Sequence, residues 1–150
     1  MGATTTILVP LDRSVGSEAV LGEVARLARA EGARVRLLHV ARPVDTLMVD
    51  GRVVRYADQE VARVREDCRA ALIRAAAALA DLEVDVAVRF GDPVEEIVRE
   101  AEQPGVAWIA MATHRHRGLD RLIEGSVAER VERATRVPVL LVRYGEALTA

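Results

Sequence analysis

The sequence predicts an α/β protein built on an open five-stranded parallel sheet with helices on both faces. Five short apolar or β-branched runs recur along the chain: TTTILVPL at 4–11, ARVRLLHV at 33–40, EVDVAVRF at 83–90, VAWIAM at 106–111 and VPVLLVR at 137–143. Helix-like patterns separate them, and strands alternating with helices imply right-handed crossovers between parallel strands. The chain has 150 residues, of which 51% are apolar, which suits one core and one domain spanning 1–150.

Each element has its own warrant. Residues 4–11 have the β-branched composition of a strand buried on both faces. The run stops at Pro10-Leu11-Asp12-Arg13-Ser14, where Ser14 or Ser17 is placed to cap the next helix. Ala19, Val20, Val24, Leu27 and Ala28 then recur at helical spacing over 18–30, and Gly32 follows in the left-handed terminating position. Residues 33–40 form the second strand. Residues 42–52 read as an irregular connection containing Asp50-Gly51, and residues 53–82, dense in alanine, as one long helix outside the sheet. The run at 83–90 alternates, with Val84, Val86 and Val88 on one side. Asp92-Pro93-Val94-Glu95 is a helix start with an Asp cap, Pro at the first position and Glu at the third, and Pro104-Gly105 ends that helix. Ser126 and Glu129 form a capping box for a short helix to Ala134. The last strand follows at 137–143, and the tail YGEALTA reads as frayed.

Composition excludes several functions. The formal net charge is −2, so neither nucleic acid nor an anionic membrane is expected as a partner. The one cysteine, Cys68, excludes an internal disulfide and a cysteine metal cluster, and reads as a small helix residue. The N-terminal MGATTTILVPLD has no basic region and no long apolar run, and no stretch approaches the ~20 apolar residues of a membrane span. A cytoplasmic location is expected.

Open parallel sheets bind ligands beyond their C-terminal strand ends, where the strand order reverses. Three segments are expected to meet there: Pro10-Leu11-Asp12, His39-Val40-Ala41, and the stretch MATHRHRGLDRLIEGSV at 111–127. The last leaves a buried strand and ends in Gly125-Ser126 at a helix start, where free N–H groups and the helix dipole favour an anion. Its centre, His114-Arg115-His116-Arg117, is strongly basic. His114 and His116 lack the additional ligands a metal needs, and His39 reads as a strand-end histidine. No nucleophile–base set, Walker lysine or carboxylate pair is legible, so no catalytic residue is assigned.

Together ILVPLDRS, LLHV, GDPVEEIV and MATHRHRGLDRLIEGSVAERV followed by RVPVLLVR resemble the universal stress protein family over nearly the whole chain. The resemblance implies a Rossmann-like domain with the five strands in the order 3-2-1-4-5, a homodimer joined through the region of the last strand, and a role in stress response. ATP-binding members carry Gly, two residues, Gly, nine residues, Gly, then Ser or Thr. Gly125-Ser126 matches the end of that pattern, while Ala112 and Arg115 replace its first two glycines. The Ala112 methyl matters if the backbone there needs a positive φ. Arg115 either fills the phosphate site or replaces lost N–H contacts by pairing with a phosphate. Glu124, before Gly125, and Arg13 are further departures. The adenine and ribose half is better kept: the resemblance assigns it to Pro10, Asp12, Val40 and Met111, with Arg115, Gly125, Ser126 and Val127 on the phosphate side. The implied ligand is ATP, AMP or another adenine nucleotide. Two other readings stay open: a dimer that binds no nucleotide and acts through contacts with an unknown protein partner, and a weak ATPase.

Overall fold

The computed structural model describes residues 4–12, 19–44, 47–55, 57–114 and 127–144, with the side chains of residues 47, 54, 55, 114 and 144 excepted. Strand β1, Thr6–Pro10, lies at the centre of the sheet, with Ile7, Leu8 and Val9 fully buried on both faces. Helix α1, Val20–Glu31, follows. Ala19 precedes it without a side-chain cap, and Ser14 and Ser17 lie outside the described residues. Gly32 ends α1 at φ 65, the left-handed position expected of it. Strand β2 is Arg34–Ala41.

The next segment corrects the sequence reading. Leu47–Val49 (β3) and Arg52–Arg55 (β4) form an antiparallel hairpin, and helix α2 begins only at Ala57. Asp50 and Gly51 both have positive φ, 52 and 75, as a two-residue type I′ turn requires. Asp-Gly was therefore a hairpin signal inside a segment expected to be irregular. Its strands expose Met48 and Val49, so the burial alternation that marks a strand is missing. Helix α2 runs Ala57–Ala76 and buries Cys68, Leu72 and Ala75; a 3-10 turn, Ala77–Leu79, closes it.

Strand β5, Val84–Phe90, leads into helix α3, Pro93–Ala101. Here the predicted cap is present: the Asp92 carboxylate accepts the Glu95 N–H at 3.0 Å. Strand β6 runs Val106–His114, three residues past the expected end at Met111. Helix α4, Val127–Ala134, and strand β7, Val139–Tyr144, complete the chain's described elements. Tyr144, expected in a frayed tail, pairs with His114, whereas Val137 precedes the strand.

The main sheet has the order β5-β2-β1-β6-β7, with every pairing parallel. Counting only these five strands, it is the expected 3-2-1-4-5. The chain steps outward from β1 to β2 and β5, then returns to the other side of β1 for β6 and β7. The order reverses between β1 and β6.

Side-chain alternation sorts the core into two layers. Ile7, Val9, Leu37 and Ala110 face α1 and α2, packing with Val20, Val24, Cys68 and Leu72. Leu8, Leu38, Ile109 and Met111 face α3 and α4, packing with Val94, Ile97, Ala128 and Val131. On α3, facing β2 and β5, Glu100 is buried, with Arg89 at 2.6 Å and Arg36 at 3.4 Å. Burial of a carboxylate is tolerated here because two guanidinium groups meet it.

Candidate functional site

The C-terminal ends of β1, β2 and β6 carry the described half of the expected site. Leu8 pairs with Ile109, so parallel register brings Pro10 level with Met111 across the point where the strand order reverses. Pro10 also pairs with Leu38, and Val40 lies two residues further along β2. Pro10 shares the parity of Leu8, so it points to the same face as Met111 and Val40. These three candidates therefore share the face covered by α3 and α4. Met111 is buried, while Pro10 and Val40 are partly exposed.

Two contacts lock the end of β1 onto β2. The Leu11 N–H donates to the Leu38 carbonyl at 2.8 Å. His39 Nδ1 lies 2.7 Å from the Leu11 carbonyl. A carbonyl only accepts, so Nδ1 carries the proton in this contact. The strand-end reading of His39 thus gains a specific role, which is to fix the backbone immediately before Asp12. Asp12 itself is exposed at the rim. The sequence held no signal for the His39 contact, because it depends on register between two strands.

Val127 is the first residue of α4 and is 38% exposed. The next residue, Ala128, is buried in the same layer as Met111, so the start of α4 sits over the face that holds Pro10 and Val40. Of the phosphate-side candidates, Arg115, Gly125 and Ser126 lie outside the described residues, as do Glu124, Arg13 and the basic centre of the stretch from Arg115 onward.

Ala112 is described, and it differs from expectation. It lies inside β6, paired with Val142, rather than in a loop. Among the described residues the one non-glycine with positive φ is Asp50, so Ala112 needs no glycine-like backbone. Its methyl packs on the layer beneath α1 and α2, opposite to the face of Met111. The first departure from the glycine pattern is therefore sterically silent on the face that holds the candidates. Among the described residues no group of three or more His, Cys, Asp or Glu is placed to hold a metal ion, and no helix is long and apolar enough to cross a membrane.

A parallel sheet covered by helices on both faces, with its strand order reversing between β1 and β6, defines a Rossmann-like α/β protein. Comparison with known proteins narrows this class. The model of the universal stress protein family matches residues 4–143, and the chain belongs to that family. Universal stress protein YxiE of Bacillus subtilis (strain 168) is 29% identical over 144 residues, covering 91% of this chain and 97% of that protein. Universal stress protein MJ0577 of Methanocaldococcus jannaschii is 28% identical over 151 residues, covering 91% of this chain and 93% of the relative. The solved structure of MJ0577 superposes with a TM-score of 0.75, covering 95% of this chain and 98% of that one. The universal stress protein from Archaeoglobus fulgidus in complex with dAMP shares the fold, with a TM-score of 0.63 at 20% identity, covering 94% of this chain and 98% of that one.

Proposed function

We propose that this universal stress protein binds an adenine nucleotide, ATP or AMP, in the crevice beyond the C-terminal ends of β1, β2 and β6. The observation that carries the reading is the convergence of Pro10, Val40 and Met111 on one face of the sheet at its reversal point, with α4 starting over the same face. The base would rest against Val40 and Met111, and the Asp12 carboxylate would accept from adenine or ribose donors. Arg115, Gly125, Ser126 and Val127 would take the phosphates, using helix-start N–H groups and one guanidinium. The complex of a family member with dAMP supports the ligand class. Residues 1–150 are read as one such domain, a stress-response binding and signalling module of the cytoplasm; fractionation of the source cells tests that placement.

The test is to purify the protein without added ligand, denature it, and identify released nucleotide by absorbance and mass. Arg115→Gly then separates the two roles of that residue. Loss of binding identifies Arg115 as a phosphate ligand, whereas tighter binding shows that it obstructs the site. Absence of nucleotide in both proteins, with no saturation by ATP or AMP, overturns the proposal. Turnover well above background would favour the ATPase reading.

A second observation supports a homodimer. Among the described residues β7 pairs only with β6, and Leu140 on it is 36% exposed. An apolar edge of this kind requires a cover, and a second copy of β7 provides a self-complementary one. Sedimentation should give a dimer at micromolar concentration, and a monomer throughout would overturn this reading.

A further inference from the structure

The opposite edge of the sheet has a different chemistry. Among the described residues β5 pairs only with β2. The Val35 N–H donates to the Glu83 carbonyl and the Gly91 N–H to the Ala41 carbonyl, at 2.9 and 3.0 Å. Odd-numbered residues from 83 to 91 thus turn their backbone groups toward β2. By alternation Val84, Val86, Val88 and Phe90 turn theirs outward, as a row open to another strand. Along this edge runs a groove of about 270 Å³ lined by Arg36, Arg65, Arg69, Asp85 and Arg89.

These arginines are not equally committed. Arg36 holds Asp85 with two hydrogen bonds of 3.2 and 3.3 Å and reaches Glu100; Arg89 holds Glu100. Arg65 and Arg69 stand one turn apart on α2, exposed, with no carboxylate partner among the described residues. Arg65 lies over the Phe90 ring, 5.1 Å from its centre, and reaches the outward Val88 carbonyl at 3.5 Å. Arg89 donates to the same carbonyl at 3.1 Å. One turn beyond Arg69, Ile73 is 53% exposed.

We propose that the β5 edge is a docking site for an extended acidic segment of a partner protein, which adds as a further strand and sets its carboxylates against Arg65 and Arg69. Charged side chains commonly protect an edge from pairing. Here Glu83 and Asp85 are paired with Arg34 and Arg36, and the side chains without a carboxylate partner among the described residues, Arg65 and Arg69, carry one sign, so the protection is selective. A basic strand is repelled. A neutral strand must displace guanidinium groups from the Val88 carbonyl and offers them nothing in return. An acidic strand replaces that contact with charge-assisted hydrogen bonds, and the outward N–H and C=O groups supply the ladder. Asp85 does not oppose it, because Arg36 already neutralises that carboxylate. A second copy of β5 would bring arginine against arginine, so self-pairing is disfavoured here. The site is separate from the strand-end crevice and does not depend on nucleotide.

The test uses the full chain and two capped peptides of alternating valine and charged residues, one with glutamate and one with lysine. Amide hydrogen exchange reads the result. The glutamate peptide should slow exchange at the outward amides of Val84, Val86, Val88 and Phe90 by at least tenfold, the lysine peptide should not, and added salt should weaken the effect. Arg65→Glu with Arg69→Glu, both at exposed positions, should invert the preference while leaving the thermal midpoint nearly unchanged. Protection by both wild-type peptides, by neither, or at amides other than these four would overturn the proposal. Persistence of the glutamate preference in the folded double variant would do the same.

Discussion

The two faces of the central sheet use the same kinds of residue for different ends. The face beneath α1 and α2 is closed at its centre, where Ile7, Val9, Val35 and Leu37 are fully buried against Val20, Val24 and Leu72, and a cavity of about 380 Å³ opens beside Leu11, Leu21 and Leu72. The face beneath α3 and α4 is closed at its middle by Leu8, Leu38 and Ile109, but its C-terminal end passes into the partly exposed Pro10 and Val40. Two short helices, of 9 and 8 residues, cover that face, against 12 and 20 on the other. Among the described residues the difference is one of coverage: the longer helices lie over more of one face, while on the other the shorter ones leave Pro10 and Val40 partly exposed beside the reversal point.

The largest effect should come from the centre of the face beneath α1 and α2. Leu37→Ala should cost about 2–5 kcal/mol by denaturant titration, through lost burial and a cavity, with nucleotide affinity unchanged in the protein that remains folded. On the other face, Glu100→Ala leaves Arg36 and Arg89 without their shared acceptor. It should cost about 1.5–3 kcal/mol, the range for hydrogen bonds to charged groups, and should be the more damaging of the two Glu100 changes when compared with Glu100→Gln.

Ala112→Gly sharpens the comparison further. Its methyl belongs to the face beneath α1 and α2, so removing it should lower stability by about 0.5–1 kcal/mol, as glycine does within a strand, with no gain in nucleotide affinity. A gain would show that the methyl, and not Arg115, limits the site. The smallest effect concerns an exposed tie at the outer side of α1. Arg29 holds Asp81 with two hydrogen bonds, of 2.6 and 2.9 Å, linking α1 to the turn before β5. The Arg29 hydrogen bonds lower the Asp81 pKa below its usual value. A lowered carboxylate contributes stability above its unfolded pKa and loses it as pH falls through the folded one. Asp81→Asn should therefore be slightly less stable than wild type at pH 7, and the two proteins should converge in acid, below the usual carboxylate range.

How much of this was legible in the sequence follows the same division. The five sheet strands and the α3 start could be read because apolar runs and the Asp92-Pro93 cap act locally. The β3–β4 hairpin could not be read from burial, since Met48 and Val49 are exposed and the alanine-rich run beyond them drew the helix too far back. Asp50-Gly51 was the usable signal. The end of β6 is not marked in the sequence because Ala112 and His114 are weak strand formers and Thr113 stands alone between them. They are extended because β7 pairs with them through Val142, Arg143 and Tyr144. The candidate site could be read as a set of strand ends, and Pro10, Val40 and Met111 share a face. That Ala112 points away from that face is a matter of register, which composition does not encode. The phosphate-side residues Arg115, Gly125 and Ser126 rest on the family pattern alone.

The most direct test of the crevice as a nucleotide site is a calorimetric titration of the wild-type protein with AMP and ATP. We expect saturable binding of one nucleotide per chain, abolished by Val40→Trp in protein whose thermal midpoint shows it folded. A featureless titration with both nucleotides, or equal binding by the folded Val40→Trp variant, would contradict the account.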